Sequence, residues 1–232
     1  IDANLVGAYR LSTVGQDIQK VIHNLAPNLT DYKKEYELES ENSFSCSVHF
    51  KNSDRLNKFF RTGTLIAPGS YINAEVSPDN NIMVEAAGDY LTYNNNSLVD
   101  FKLLAEAIDT ISNLSISSYK ANLVNRLDVD SLSVNASTIP DFISLDINWN
   151  NPGNSNRGGS INVKGEIREN PGGKPVFIAS FVPTTIDINT RTWQINSSEI
   201  SVDSTSVSVN NLLASHDDDY IRIDGTVSEN RF

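Results

Sequence analysis

The feature that most constrains this chain is a two-residue alternation of apolar and polar side chains. It is clearest at residues 184–209, where apolar residues occupy every second position of four short runs and polar residues fill the gaps. Because successive side chains of a β-strand point to opposite faces, each run has one apolar and one polar face. Turn-forming residues at 189–191, 196–198 and 203–205 separate the runs. The segment is predicted to be an antiparallel meander.

The same alternation recurs along most of the 232 residues and predicts a mainly β fold of about 15 strands. Two stretches near the N-terminus, 16–27 and 54–60, change to helical spacing and are predicted to be short helical connectors. An open sheet of this many strands cannot leave its apolar face bare in water. With so few helical residues to cover it, the sheet is expected to roll up, stack on itself or hold an apolar guest.

The composition excludes several classes of function. The formal net charge is −11 and no basic stripe is present, so binding to nucleic acid is not expected. No run approaches about 18 apolar residues and no signal peptide is recognisable. The chain begins at Ile1 rather than Met, so it is expected to be a piece of a longer protein, with any membrane anchor outside it. Cys46 lies on the apolar phase of a strand, either as a buried inert thiol or as a reactive one.

Residues with catalytic or metal-binding chemistry are scattered. His23, His49 and His216 lie far apart in sequence, with no Cys, His or Glu at metal-ligand spacing. The acidic run 217–219 lacks the glycine and the closing Glu of an EF-hand, which leaves a solvated charge run or a Ca²⁺ site as its two interpretations. No motif of a catalytic nucleophile is present. We expect a protein that is not an enzyme and that has no catalytic residue, metal or cofactor.

Three stretches that follow each other along the chain carry a family resemblance. They are Leu-Ile-Ala-Pro-Gly-Ser-Tyr-Ile-Asn at 65–73, Thr-Trp-Gln-Ile-Asn-Ser-Ser-Glu-Ile-Ser-Val-Asp-Ser at 192–204, and Tyr-Ile-Arg-Ile-Asp-Gly-Thr-Val-Ser-Glu-Asn at 220–230. Together with the connector-like Asn-Leu-Ala-Pro-Asn-Leu at 24–29, they resemble the TamB-like (translocation and assembly module) proteins of Bacteroidota, within the AsmA-like group. The likeness covers most of the chain and rests on strand patterns.

The resemblance implies a fold, a location and a task. The fold would be a long curled antiparallel β-sheet, taco-like, with an apolar groove, and residues 1–232 would form a single elongated β-rich segment. The protein would be periplasmic and would carry phospholipid between the inner and outer membranes or assist outer-membrane assembly. The implied partners are phospholipid acyl chains and, through other parts of a longer chain, an Omp85-type outer-membrane barrel. The sequence departs from the family in having neither the N-terminal anchor nor a recognisable barrel-docking end.

The predicted lipid groove consists of the apolar-phase residues of the strands. They are Phe44, Val48, Ile72, Val76, Ile82, Val84, Phe101, Leu103, Leu145, Ile147, Trp149, Ile161, Val163, Ile178, Ile186, Trp193, Ile195, Ile200, Val202, Val207, Ile221 and Ile223. The two tryptophans are either groove-lining residues or ordinary core aromatics. The alternative for the whole set is the closed core of a non-enzymatic binding or structural β-domain, such as a surface adhesin or a phage tail module, that binds through its polar loops.

Overall fold

The structure is a computed structural model, and it describes residues 1–10, 13, 19–20, 23–24, 27–29, 42–52, 63–79, 81–94, 96–123, 127–150, 158–170, 172–188 and 191–228. The prediction of a mainly β chain is confirmed, because the described residues form one antiparallel sheet of sixteen strands. The strands are β1 (Asp2–Ala8), β2 (Ser43–His49), β3 (Thr64–Ile66), β4 (Tyr71–Val76), β5 (Ile82–Tyr93), β6 (Asn96–Ile108), β7 (Ile111–Leu123), β8 (Leu127–Ile139), β9 (Phe142–Asn150), β10 (Gly158–Glu169), β11 (Pro175–Phe181), β12 (Thr184–Ile188), β13 (Arg191–Ile195), β14 (Ser198–Val202), β15 (Ser206–His216) and β16 (Asp219–Ser228).

The sheet is a meander, although its hydrogen-bonded order suggests crossings. That order is β1-β2-β4-β5-β6-β7-β8-β9-β10-β11-β14-β15-β13-β12, with β3 on β5 and β16 on β15. The order only seems to contain crossings, because three long strands are each interrupted and therefore counted as two. β11 and β12 pair with β14 and β13 in one continuous register, from Phe177↔Val202 to Thr184↔Ile195, and β3 and β4 pair with successive parts of β5. Thirteen runs therefore follow each other back and forth in sequence order.

Tight turns with an aspartate in the left-handed region join several of these strands. Asp109, Asp141 and Asp217 have φ angles of 54°, 61° and 48°, and each lies in a two-residue loop between paired strand ends. Aspartate tolerates this backbone region better than most residues. The short loops fix the register of the hairpins, so the turn residues determine which side chains share a face.

A line of irregular positions, which we call the central crease, crosses four neighbouring strands. Asp89 of β5, Asp100 of β6, Tyr119 of β7 and Ser131 of β8 are skipped by the cross-strand pairing at the same level of the sheet. Asp100 and Ser131 have positive φ angles of 48° and 51°, which cost free energy in residues other than glycine. Pairing resumes in the same register beyond the skipped positions, so the four strands share one aligned irregularity.

The residues beside the central crease are the most deeply buried part of the described sheet. Ala121 is fully buried, and Phe101, Val129 and Leu132 are at most 9% exposed. Ala121, Val129 and Leu132 form one apolar cluster, which is joined by half-buried side chains of the same and neighbouring strands. The cluster therefore extends across the crease, because its members come from both sides of it.

Polar side chains replace ladder hydrogen bonds where the creases break them. In the central crease, the Ser118 hydroxyl accepts the N–H of Val99 at 3.2 Å and donates to the carbonyl of the same residue at 2.7 Å. A second line, the C-terminal crease, interrupts β11–β12 and β13–β14 and shifts the pairing of β15 with β16. There the Asn196 side chain accepts the N–H of Leu213 at 2.8 Å and donates to the carbonyl of Asn211 at 3.0 Å.

The protein has a large solvent-accessible surface for its mass. Its accessible surface is 15325 Å², whereas a compact protein of 25.5 kDa exposes roughly 10,400 Å² according to the usual scaling with mass. The difference means that much of the surface of the chain, apolar side chains included, is open to solvent.

The two predicted helical connectors are not confirmed. The second, 54–60, lies outside the described residues. Within the first, 16–27, the described residues 19–20 and 23–24 have a helical backbone, but the helical element with defined ends in the described chain is a 3₁₀ turn at Pro27–Leu29.

This 3₁₀ turn attaches the segment after β1 to a distant part of the sheet. Asn28 donates its backbone N–H and its side-chain amide to the carboxylate of Asp141, at 3.0 and 2.8 Å. Asp141 lies in the turn between β8 and β9, and its carbonyl accepts the N–H of Ile167 in β10. β2 and β8 are five strand spacings apart, roughly 24 Å on a flat sheet. The 3₁₀ turn therefore lies at the end of the sheet at which β1 ends.

Candidate functional site: the apolar face

One face of the sheet is apolar from β2 to β16. Directly opposite residues of an antiparallel pair project to the same face, so the register assigns each residue to a face. One row of paired residues crosses eight neighbouring strands at Val48, Ile72, Ala86, Leu103, Ile116, Val134, Ile147 and Ile161. The same face continues to the last strand through the pairs Ile186↔Trp193, Val202↔Val207 and Ala214↔Ile221. We call this surface the apolar face and the opposite surface the polar face.

The register places the predicted groove residues on the apolar face, with Ile178 as the exception. Ile178 pairs with Glu166 and Ser201, which belong to the polar face, whereas its neighbour Phe177 projects to the apolar face. The assigned phase is wrong here because residues 176–179 are all apolar, so the alternation does not reveal which of them point to which side. That the apolar face holds lipid stays a prediction.

The predicted set also omits several residues of the apolar face. Cross-strand pairing adds Leu98, Leu114, Ile116, Val129, Leu132, Val134, Phe177 and Phe181. Alternation alone identifies most of their strands. Alternation does not show that Leu98 and Val129 share a face with the other residues, because the positions that point to the apolar face change between odd and even numbers at the central crease. For these two residues the decisive signal is the pairing of each with Ala121.

The apolar face is more sheltered than the polar face over most of the sheet. Along β7, every apolar-face residue from 112 to 118 is buried or half-buried, and every polar-face residue from 113 to 117 is exposed. The apolar face is not protected from solvent at β16, where all ten residues are exposed. There Ile221, Ile223 and Val227 expose 59%, 50% and 77% of their surface, because they have a neighbouring strand on one side instead of two.

The polar face is a hydrogen-bonded layer of short side chains. Ser115 donates to Asn135 at 2.9 Å across β7 and β8, and Tyr71 donates to Glu85 at 2.8 Å across β4 and β5. The hydrogen bond to the Glu85 carboxylate raises the pKa of the Tyr71 hydroxyl, because ionised tyrosine would lose the bond and face a negative charge. Such a surface stays in water, which leaves the apolar face as the side that needs a cover.

Both tryptophans lie on the apolar face, and one of them lies against a glycine. A Cβ added to Gly159 would come 2.5 Å from the ring of Trp149, its directly paired neighbour. The missing side chain therefore lets the indole lie close to the backbone. Trp193 contacts the ring of His216, with centroids 5.9 Å apart. The aromatic rings contribute broad, flat patches to the apolar face.

Groups with catalytic or metal-binding chemistry are not brought together in the described part of the chain. Among these residues, no set of three or more His, Cys, Asp or Glu side chains could hold a metal ion. Cys46 is half-buried on the apolar face, opposite Ala74, and the acidic run 217–219 forms the start of β16 and the turn before it, where Asp219 pairs with Arg191 at 2.8 Å. No helix within the described ranges is long and apolar enough to cross a membrane.

This chain was compared with known protein families, curated proteins and solved structures. No protein-family description, no curated protein and no solved structure matches this chain. The resemblance to TamB-like proteins therefore stays a prediction from the sequence.

Proposed function

We propose that this chain is a segment of a TamB-like protein of the AsmA-like group and that its apolar face holds the acyl chains of phospholipids. The observation that carries the proposal is the continuity of the apolar face. Apolar side chains face the same way from β2 to β16, on a protein whose accessible surface far exceeds that of a compact fold. A surface of this kind requires an apolar partner.

In this proposal the sheet curls towards its apolar face and forms a taco-like groove. The central crease supports the curl, because aligned irregular positions in four adjacent strands offer one line along which the sheet would bend. The difference in shelter between the faces along β7 is what concave and convex sides of a bent sheet would produce. The hydrogen-bonded polar face would form the outer wall.

The chemistry of such a groove needs few specific contacts. Transfer of acyl chains from water gains about 0.8 kcal/mol per buried CH₂, so a lining of Val, Ile, Leu and aromatic residues is sufficient to bind them. Head groups would remain in water along the open seam. A lipid would then move along the groove without breaking strong polar contacts, which suits a carrier better than a site that fixes one ligand.

The proposed setting is the periplasm. There the chain would carry phospholipid between the inner and outer membranes or assist outer-membrane assembly, without enzymatic activity. Other parts of a longer chain would contact an Omp85-type barrel. Of the stretches that carry the resemblance, 65–73 contains the interruption between β3 and β4, 192–204 covers β13 and β14, and 220–230 lies mostly in β16. All three contribute residues to the sheet and its apolar face.

The test compares charged substitutions on the two faces of the same strand. Ile147→Asp places a carboxylate on the apolar face, and Asn148→Asp places one at the adjacent position on the polar face. The purified chain is incubated with vesicles of phosphatidylethanolamine and phosphatidylglycerol, separated from them, and analysed for bound lipid by mass spectrometry. We expect Ile147→Asp to reduce bound lipid about tenfold or more, because a carboxylate is strongly disfavoured next to acyl chains. Asn148→Asp should bind as the unaltered chain does.

Folding has to be measured on the same samples by circular dichroism. If Ile147→Asp unfolds the chain while the unaltered protein takes up no lipid, the apolar face is the closed core of a binding or structural domain of the adhesin or phage-tail type. If all three proteins are folded and none takes up lipid, the lipid-carrying proposal fails.

A further inference from the structure

Four exposed apolar side chains form a row on the polar face, where the hairpins of β6–β7 and β8–β9 turn. Cross-strand pairing places Ile108 opposite Ile111 and Ile139 opposite Phe142, and the register of β7 with β8 makes the two pairs neighbours. The alternation along each strand assigns all four residues to the polar face. We call this row the outer strip. Its members Ile108, Ile111, Ile139 and Phe142 expose 57%, 50%, 52% and 48% of their surface.

The outer strip differs from the rest of the face on which it lies. Between this strip and the central crease, the polar-face positions of β6–β8 are Lys, Glu, Ser or Asn, with Leu104 as the exception. The strip is in the interior of the sheet, because each of its strands is paired on both sides. A contiguous exposed apolar patch with a polar rim is typical of a site where another molecule binds.

A shallow hollow with two carboxylates adjoins the outer strip on the same face. It has a volume of about 190 Å³ and extends from Glu106 of β6 to Asp146 of β9. Asp109 lies in the turn at the other side of the strip, directly after Ile108. Within the described part of the chain, the carboxylates of these three acidic residues have no hydrogen-bond or ion-pair partner. Uncompensated negative charge therefore borders the apolar row.

We propose that the outer strip and the adjoining hollow bind a short amphipathic helix of a partner protein, with lysine or arginine beside its apolar side chains. Neighbouring strands are about 4.8 Å apart, close to the pitch of about 5.4 Å that separates successive turns of a helix. Apolar side chains one turn apart can therefore contact successive members of the strip. From β6 to β9 the strip crosses three strand spacings, which a helix of about ten residues covers.

The charges favour this partner over a second copy of the chain and over a lipid surface. Two outer strips packed together would bring the carboxylates of Glu106 and Asp109 of both copies close to each other, and like charges repel. The net charge of −11 opposes contact with anionic lipid head groups in the same way. A basic helix instead places its apolar side chains on the strip and its cationic groups near the carboxylates. This site lies on the face opposite to the proposed lipid groove and does not depend on lipid binding.

Two synthetic peptides test the chemistry of the partner. Each has about 14 residues, enough to cover the strip as a helix, and carries leucine at helical spacing. One peptide has lysine at its polar positions and the other has glutamate. Isothermal titration calorimetry measures the binding of each peptide to the full chain. We expect the lysine peptide to bind at least about tenfold more tightly than the glutamate peptide, with an affinity that falls as salt is added.

Variants of exposed side chains locate the bound peptide. Ile111→Ser and Phe142→Ser should each raise the dissociation constant of the lysine peptide about fivefold or more. Tyr119→Ser, which removes a side chain that is 67% exposed from the same strand as Ile111, is the matched control and should leave it within about twofold. Ile221→Ser is the control on the apolar face, where Ile221 is 59% exposed. Circular dichroism checks that all four variants are folded.

A second set of variants tests the carboxylates. Glu106→Gln/Asp146→Asn keeps the size of both side chains and removes two charges from the hollow. We expect it to weaken binding of the lysine peptide about threefold or more at low salt and to reduce the salt dependence. Asp217→Asn/Asp218→Asn removes the same charge from the turn between β15 and β16 and should have a smaller effect. Equal effects of the two double variants would attribute the attraction to net charge and contradict the role of the hollow.

Several results would overturn the proposal. They include equal binding of the two peptides, binding of neither, and strip variants that leave the dissociation constant unchanged. An Ile221→Ser effect as large as that of Ile111→Ser would place the peptide on the apolar face. A dimer seen by light scattering and lost in Phe142→Ser would assign the strip to a second copy. Binding to phosphatidylcholine vesicles that is lost in the same variant would assign it to a lipid surface.

Discussion

The strands that meet at the central crease and β16 both contain alternating apolar and polar residues, and they differ in how far the apolar side chains are covered. At the crease, Phe101, Ala121 and Leu132 are almost inaccessible, and in β16 Ile223 and Val227 are at least half exposed. The strands of the crease, β6 to β8, have neighbouring strands on both sides, and their apolar side chains pack into one cluster. β16 has one neighbour in the described chain, and all ten of its residues are exposed. The comparison teaches that, in a single sheet, the burial of an apolar side chain depends on how many strands surround it and not on its hydrophobicity alone.

Truncation of an aromatic side chain at the crease should have the largest effect. Phe101→Ala removes a ring that is 7% exposed and should lower the free energy of unfolding by about 3–5 kcal/mol. Val227→Ala, in β16, should change it by less than about 0.5 kcal/mol, because that side chain is 77% exposed. Urea denaturation at low protein concentration measures both values. Equal losses in the two variants would show that the terminal strand is as well packed as the crease.

Two buried serines, one at each crease, allow a second comparison with a smaller expected change in the free energy of unfolding. Ser118 bridges the broken ladder of the central crease, and Ser118→Ala should cost about 1–3 kcal/mol, because it leaves the backbone of Val99 without a partner. Ser198 is similarly buried beside the C-terminal crease, but its hydroxyl has no hydrogen-bond partner among the described residues. Ser198→Ala should be neutral or slightly stabilising. The same urea experiment measures the pair, and a loss at Ser198 as large as that at Ser118 would contradict this role of the Ser118 hydroxyl.

The smallest expected effect is a pH dependence confined to the terminal part of the sheet. The carboxylate of Asp203 accepts the backbone and hydroxyl groups of Thr205 and Ser206 in the turn between β14 and β15, and these bonds lower its pKa. A carboxyl pKa that is lower in the folded state stabilises the fold above its unfolded value of about 3.9, and this contribution is lost as the pH falls through the folded-state pKa.

The titration of the Thr205 amide signal by NMR measures this effect. We expect the turn to open at acid pH while the amide signals of β6–β8 keep their positions. Asp203→Asn keeps an acceptor that does not titrate and should abolish the change. A transition of the same midpoint in Asp203→Asn would assign it to another group.

Part of the candidate site could be predicted from alternation, and the exceptions have physical causes. The phase of β9, Phe142–Asn150, is unambiguous because polar residues separate Leu145, Ile147 and Trp149. In β11 the run 176–179 is apolar throughout, and Ile178 was assigned to the wrong face. In β7 the pair Tyr119–Lys120 interrupts the alternation, so the pattern suggests two short strands where the structure has one continuous strand with a crease.

The sequence by itself determined the class of the fold, the antiparallel order of the strands and, for most strands, which side chains face together. Those properties depend on local geometry, because side chains alternate with period two and short Asp and Asn turns reverse the chain. Only the tertiary structure decided that the irregular positions of β5–β8 align into one crease and that Leu98, Val129 and Leu132 meet there. These properties depend on register between strands and on neighbours distant in sequence, and the local pattern contains no record of them.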